Sequence, residues 1–125
     1  MTRRVVLDMD VGIDDAIAIL LLASQPDAAI VALGSVFGNI DTAQSTRNAI
    51  AVLESVGLGH VPVARGADAP LEVEPTIAEF VHGRDGLGGI LPRAHGVPSG
   101  ESAVDQLGRL GRLAPGDSTC WRSGP

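Results

Sequence analysis

Three short, uninterrupted apolar runs separated by two helix-length segments constrain this chain most. Val5–Leu7, Ala29–Leu33 and Val61–Ala64 read as buried strands, and the stretches between them as helices. The first helix is expected from Asp15 to about Ser24, with Asp14 as its cap and Pro26 beyond its end. The second opens after the polar loop 38–42 and runs to about Val56, with Ala43, Ile50, Leu53 and Val56 able to share one buried face; Gly57 and Gly59 stop it. Strands without polar alternation, joined through helices, are buried on both faces, which only a mostly parallel sheet achieves. The expected fold is α/β: a Rossmann-like open sheet with helices on both faces.

Such sheets bind ligands at the carboxyl ends of their strands. Polar residues gather there. Asp8 and Asp10 end the first strand, Asn39 and Asp41 follow the second, and Arg65 and Gly66 follow the third. The first junction is the most unusual, because Asp8, Asp10, Asp14 and Asp15 fall within one strand-to-helix turn. A carboxylate in the first turn of a helix gains about 0.3–1 kcal/mol from the helix dipole. Two carboxylates about 4 Å apart repel by roughly 4 kcal/mol at an effective dielectric of about 20. If the four converge they must splay into water, share protons or bind a cation, and all-oxygen ligation suits Ca²⁺ or Mg²⁺. The plainer reading is a helix cap plus solvated loop charges.

Beyond residue 66 the pattern loosens. Residues 67–100 are rich in Gly and Pro and read as a mobile loop, with a short helix near Thr76–Phe80. Glu101–Leu113 is expected to be an amphipathic helix burying Ala103, Val104, Leu107, Leu110 and Leu113, ended by Pro115 and Gly116. The tail from Ser118 does not look like a strand.

Composition narrows the function. At 125 residues with 45% apolar content, the chain is at most one ordered domain. Two per cent aromatics and a net charge of −6 argue against nucleic-acid partners and anionic membranes. The single cysteine, Cys120, excludes an internal disulfide and a cysteine-based metal site. The longest apolar stretch, Ala16–Ala23, is far short of a membrane span. With no signal-peptide core after Met1, a soluble cytoplasmic protein is expected.

The run from Asp8 to Ile19, Asp-Met-Asp-Val-Gly-Ile-Asp-Asp-Ala-Ile-Ala-Ile, resembles the signature of the inosine–uridine-preferring nucleoside hydrolases, whose usual form reads Asp-Thr-Asp-Pro-Gly-Ile-Asp-Asp-Ala. Gly38-Asn39, Gly66-Ala67-Asp68 with Pro70-Leu71, and His82-Gly83 with Asp85-Gly86-Leu87-Gly88 agree at the expected spacing, so the likeness covers about residues 4–117. Met9 and Val11 stand in place of the usual Thr and Pro, and neither alters a ligand. The resemblance implies hydrolysis of the N-glycosidic bond of purine or pyrimidine ribonucleosides by a Ca²⁺-bound water. It implies Asp10 and Asp15 as Ca²⁺ ligands, Asp10 also as general base, and Asp14 on the ribose hydroxyls. Asn39 would support the ribose and metal end, and His82 would lie on a loop closing over the base. Asp8 is expected to orient the ligands. Complete members form homodimers or homotetramers.

The resemblance also implies a later Gly-Pro-Leu-Thr-Asn segment and further Asn, Glu and Asp residues that this chain does not contain. The expectation is therefore a partial hydrolase domain over residues 1–125, weakly active or inactive alone. One codon choice for residues 117–125, shifted by a frame, encodes Leu-His-Val-Leu-Ala-Leu-Gly-Pro, an apolar strand. Residues 118–125 are accordingly read as an out-of-frame tail.

One other enzyme class and two binding motifs share pieces of the pattern. Haloacid-dehalogenase-like, Mg²⁺-dependent phosphatases also place Asp-x-Asp after a first strand, with Asp8 as nucleophile. They generally want a downstream basic residue, most often lysine, to steady the phosphate, and all nine Lys and Arg residues here are arginine. An EF-hand loop would need Glu where Ile19 stands. The glycine-rich stretches lack the Gly-Lys-Ser/Thr of a P-loop.

Overall fold

A computed structural model describes residues 2–38, 40–69, 72, 87–89, 93–113, 116 and 118–122. The elements are β1 (Arg3–Met9), α1 (Ile13–Ala23), β2 (Ala28–Ser35), α2 (Thr42–Ser55), β3 (Val63–Ala64), α3 (Ala103–Leu113) and β4 (Ser118–Arg122). They form one parallel sheet in the order β3-β2-β1-β4.

Alternation along β1 assigns its side chains to the two faces. Val5, Leu7 and Met9 enter the main core with Ile30 and Leu33 of β2, Ile19 of α1, and Ala49, Ile50, Val52 and Leu53 of α2. The opposite face meets α3: a Cβ built on Gly34 would lie 3.1 Å from Ala103 Cβ and 3.5 Å from Asp8 Oδ1. The chain travels β1 to β2 to β3 in one direction and then returns past β1 to β4. A right-handed crossover that reverses direction must cross on the other face, which places α3 opposite α1 and α2. The reversal creates a switch point between β1 and β4, beside the aspartate turn.

Several expectations change. β1 and β2 extend by two residues or so at either end beyond their apolar cores, and β3 is limited to Val63–Ala64. The tail is a strand after all: Ser118–Arg122 runs parallel to Arg4–Asp8, with Cys120 opposite Val6 and Trp121 opposite Leu7. Thr119 is β-branched and Trp121 aromatic, both at home on a half-exposed strand. Alongside the open edge of β1, backbone pairing is enough without a continuous apolar run.

Asp14 is not the cap of α1. The helix starts earlier, with Gly12 at the N-cap position and no side-chain cap, so that Asp14 and Asp15 both lie in the first turn. In α2, by contrast, Asp41 caps directly, its Oδ1 accepting from Gln44 N at 2.7 Å.

α3 docks by a different face from the apolar one. It buries Ala103 and Gln106, while Val104 and Leu113 remain 79% and 72% exposed. The small Ala103 fits against Gly34, and Gln106 Nε2 donates to Leu33 O at 3.1 Å. The outward side of α1 is apolar as well, with Ile17 and Leu21 about three-fifths exposed.

The loop expected to be mobile is fastened at two described points. Leu87 is buried within the main core. Glu54 of α2 accepts from the backbone of His95 at 3.1 Å and of Gly96 at 2.6 Å. The helix expected near Thr76–Phe80 lies outside the described residues.

Candidate active site

The four aspartates fall into three environments. Asp10 and Asp15 are buried, with 3% and 7% of their surface exposed. Asp8 is half-buried on the α3 face, and Asp14 is exposed in the first turn of α1. Asp10 and Asp15 therefore bracket a turn at the carboxyl end of β1, where burying a carboxylate is costly unless charge or hydrogen bonds compensate it. Asn39 and His82 lie outside the described residues.

Asp10 is boxed in by backbone. A Cβ at residue 38 would collide with Asp10 Oδ2, so only glycine lets the loop after β2 approach this carboxylate. Val36 N donates to Met9 O at 3.2 Å, joining that loop to the end of β1. On the far side of Asp10, Val11 has φ +36°, the one non-glycine positive φ among the described residues. Proline, locked near −65°, could not take that angle. The exchange of Pro for Val therefore changes which backbone the turn can adopt.

The floor beneath the turn comes from a buried polar stripe on α2 that sequence reasoning missed: Thr42, Ser45, Thr46 and Asn48. Thr42 Oγ1 donates to Ala67 O at 2.6 Å. Thr46 Oγ1 donates to Thr42 O at 2.7 Å and lies 2.7 Å from Ser35 Oγ. Gly66 N donates to Ser35 Oγ at 3.4 Å, and a Cβ on Gly66 would collide with Ser35 O. The loops after β2 and β3 are thus pinned to each other and to α2. The available sequence signal was helical spacing, since 42, 45 and 46 share a face, with 48 at its border. Hydroxyls on a helix face read as solvated until the fold puts backbone carbonyls over them.

In kind, the donors fit a hard cation, because buried carboxylates supply anionic oxygens. In number they fall short. Among the described residues no three His, Cys, Asp or Glu side chains come together as a metal site would need. The same residues include no helix long and apolar enough to cross a membrane.

Comparison with known proteins gives this geometry its class. A model of the inosine–uridine-preferring nucleoside hydrolase family matches residues 5–125, and the chain belongs to that family. It is 40% identical to uridine nucleosidase 1 of Arabidopsis thaliana, over 98% of this chain and 37% of that protein. It is 37% identical to the pyrimidine-specific ribonucleoside hydrolase RihA of Shewanella baltica, over all of this chain and 40% of RihA. Among solved structures, the plant nucleoside hydrolase PpNRh1 superposes with a TM-score of 0.93 at 37% identity, over all of this chain and 40% of its own. A purine-preferring ribonucleoside hydrolase from Gardnerella vaginalis gives 0.89 at 28% identity, over 98% and 40%. The chain spans about two fifths of the length of these relatives.

Proposed function

We propose that the chain supplies the aspartate floor of a nucleoside N-ribohydrolase site, which cleaves purine or pyrimidine ribonucleosides to free base and ribose. The observation that carries this reading is the burial of Asp10 and Asp15 at the carboxyl end of β1, with Gly38 against Asp10, in a chain of this family.

In this reading Asp10 and Asp15 would supply part of the oxygen donors that hold Ca²⁺. When bound, the ion supplies a water acidified enough to act as nucleophile near neutral pH. Asp10 takes the proton of the attacking water at a carboxylate oxygen. Its burial and the backbone around it keep that oxygen in place, which is the positioning general-base catalysis needs. Asp14, exposed at the start of α1, is free to accept hydrogen bonds from the ribose hydroxyls. Carboxylates also suit the transition state electrostatically: breaking the N-glycosidic bond builds positive charge on the ribosyl ring, as in glycoside hydrolysis. Asn39 supports the ribose end and His82 the base end. Asp8, facing α3, acts on the turn through the backbone of β1.

The floor alone is half a site. The remaining ligands and the base pocket belong to the part of the fold that these residues do not span, and the 125 residues alone should hydrolyse inosine and uridine negligibly. The test is base release from uridine and inosine by this chain fused to the remaining three fifths of Arabidopsis uridine nucleosidase 1. Ca²⁺-dependent hydrolysis reduced at least a thousandfold by Asp10→Ala is expected. Hydrolysis indifferent to Asp10→Ala in the folded fusion contradicts the assignment.

A further inference from the structure

The carbonyls of the residues on either side of Asp10 are gripped from α2. Ser45 Oγ donates to Met9 O at 3.5 Å, and Asn48 Nδ2 donates to Val11 O at 3.1 Å. Ser45 and Asn48 are three residues apart and so share a helix face. Both are buried. The far end of Asn48 is fixed in turn: Gln44 Nε2 donates to Asn48 Oδ1 at 2.8 Å, and Arg47 Nη2 donates to Gln44 Oε1 at 2.8 Å. That relay orients the carboxamide, so that its NH₂ group faces Val11.

What Asn48 grips is the strained point of the turn. Val11 is β-branched, fully buried, and held at φ +36°. A branched residue there is a genuine outlier, and such strain persists only where the surroundings over-determine it. The side chain of Val11 is anchored in the main core and its carbonyl is bonded to Asn48. Together these two holds keep the backbone in a conformation it would otherwise leave. Asp10 precedes this residue, and the first turn of α1 with Asp15 follows it. A relaxed φ at Val11 would change where Asp10 sits relative to Asp15.

We propose that Asn48 is a positioning residue for the Asp10–Asp15 turn, acting through the carbonyl of Val11 to hold the strained backbone. Its meaning for catalysis rests on the hydrolase reading above; the clamp itself does not.

The test is amide hydrogen exchange on the ¹⁵N-labelled 125-residue chain, for Asn48→Asp and Asn48→Ala, each with Val11 and with Val11→Gly. Glycine takes positive φ without strain, so it removes the need for the clamp, and comparison within each background cancels the loss of the valine side chain. With Val11 present, exchange of the Ala16 amide, which donates to Gly12 O, should speed at least tenfold on either Asn48 change. The Leu33 amide in β2, bonded to Pro62 O, should change less than threefold. In the Val11→Gly background, the same Asn48 changes should move Ala16 less than threefold. Three results overturn the proposal: acceleration shared by Leu33, equal acceleration at Ala16 in both backgrounds, or none in either. If neither Asn48 variant folds, Asn48 is a general scaffold residue and the proposal also fails. Hydrolysis by the folded fusion that is indifferent to Asp10→Ala would count against the hydrolase reading while leaving the exchange result intact, so the two failures are distinguishable.

Discussion

Gly38 lies so close to Asp10 that a Cβ on it would overlap the carboxylate oxygen Oδ2. A methyl group there must displace either the loop after β2 or the carboxylate. Gly38→Ala is expected to cost about 1–3 kcal/mol, the usual penalty of overpacking a tight site. Because either displacement alters the surroundings of Asp10, response to Ca²⁺ should fall more than stability does. Urea melts and Ca²⁺ titrations of the same variant check both parts.

The Ser35–Thr46 pair makes a second, separable prediction. Thr46 is buried, and its hydroxyl bridges Ser35 Oγ and Thr42 O. Thr46→Val keeps the shape, removes the hydroxyl, and leaves a buried serine with one partner fewer. A loss of about 1–3 kcal/mol is expected, the range for an under-satisfied buried polar group. A urea midpoint unchanged from wild type would show that the pair contributes nothing.

These hydroxyls also mark the limit of what the sequence shows. β1, β2 and β3 were legible because buried parallel strands are apolar throughout, a pattern few other structures produce. β4 was not, because Ser118–Arg122 gains its order from pairing with Arg4–Asp8 rather than from its own composition. The face of α3 was misread for a related reason. Periodicity ranks Val104 and Leu107 above Gln106, yet Gln106 reaches a backbone carbonyl of β2 and the leucine does not enter the core. In the site, the clustering of the four aspartates was plain. Which of them are buried was not, since burial depends on Gly38 and on α2, far away in sequence.

Two helix faces give a contrast that sequence alone would miss. Ile19 is fully buried and Leu21 is mostly exposed, although they are two residues apart in one apolar run. Ile19→Ala should cost about 2–5 kcal/mol. Leu21→Gln should change stability by about 0.5 kcal/mol or less. Chemical denaturation of the two variants side by side decides this.

Acid should loosen two tethers. The amides of His95 and Gly96, above all, hold the Glu54 carboxyl below the ordinary carboxylate value; Arg109 does the same for Glu101 through a 2.6 Å ion pair. A carboxyl with a lowered native pKa stabilises the fold above its unfolded pKa and loses that contribution as pH falls through the native value. Stability should therefore decline from about pH 5 downward. Glu54→Gln should be less stable near neutrality and show a shallower acid slope. The urea midpoint followed from neutral to strongly acidic pH tests this, and an unchanged slope contradicts it.

The central claim is that Asp10 and Asp15 form the cation-holding floor of a nucleoside hydrolase site. It is tested most directly by titrating the chain with Ca²⁺ as the ¹⁵N-labelled fusion to the remaining three fifths of uridine nucleosidase 1, and following every amide of residues 1–125. The account predicts saturable shifts confined to residues 10–16 and 38, lost in Asp10→Asn and in Asp15→Asn. Shifts spread over exposed acids such as Asp27, Asp68 and Glu72, or shifts that survive both substitutions, would contradict it.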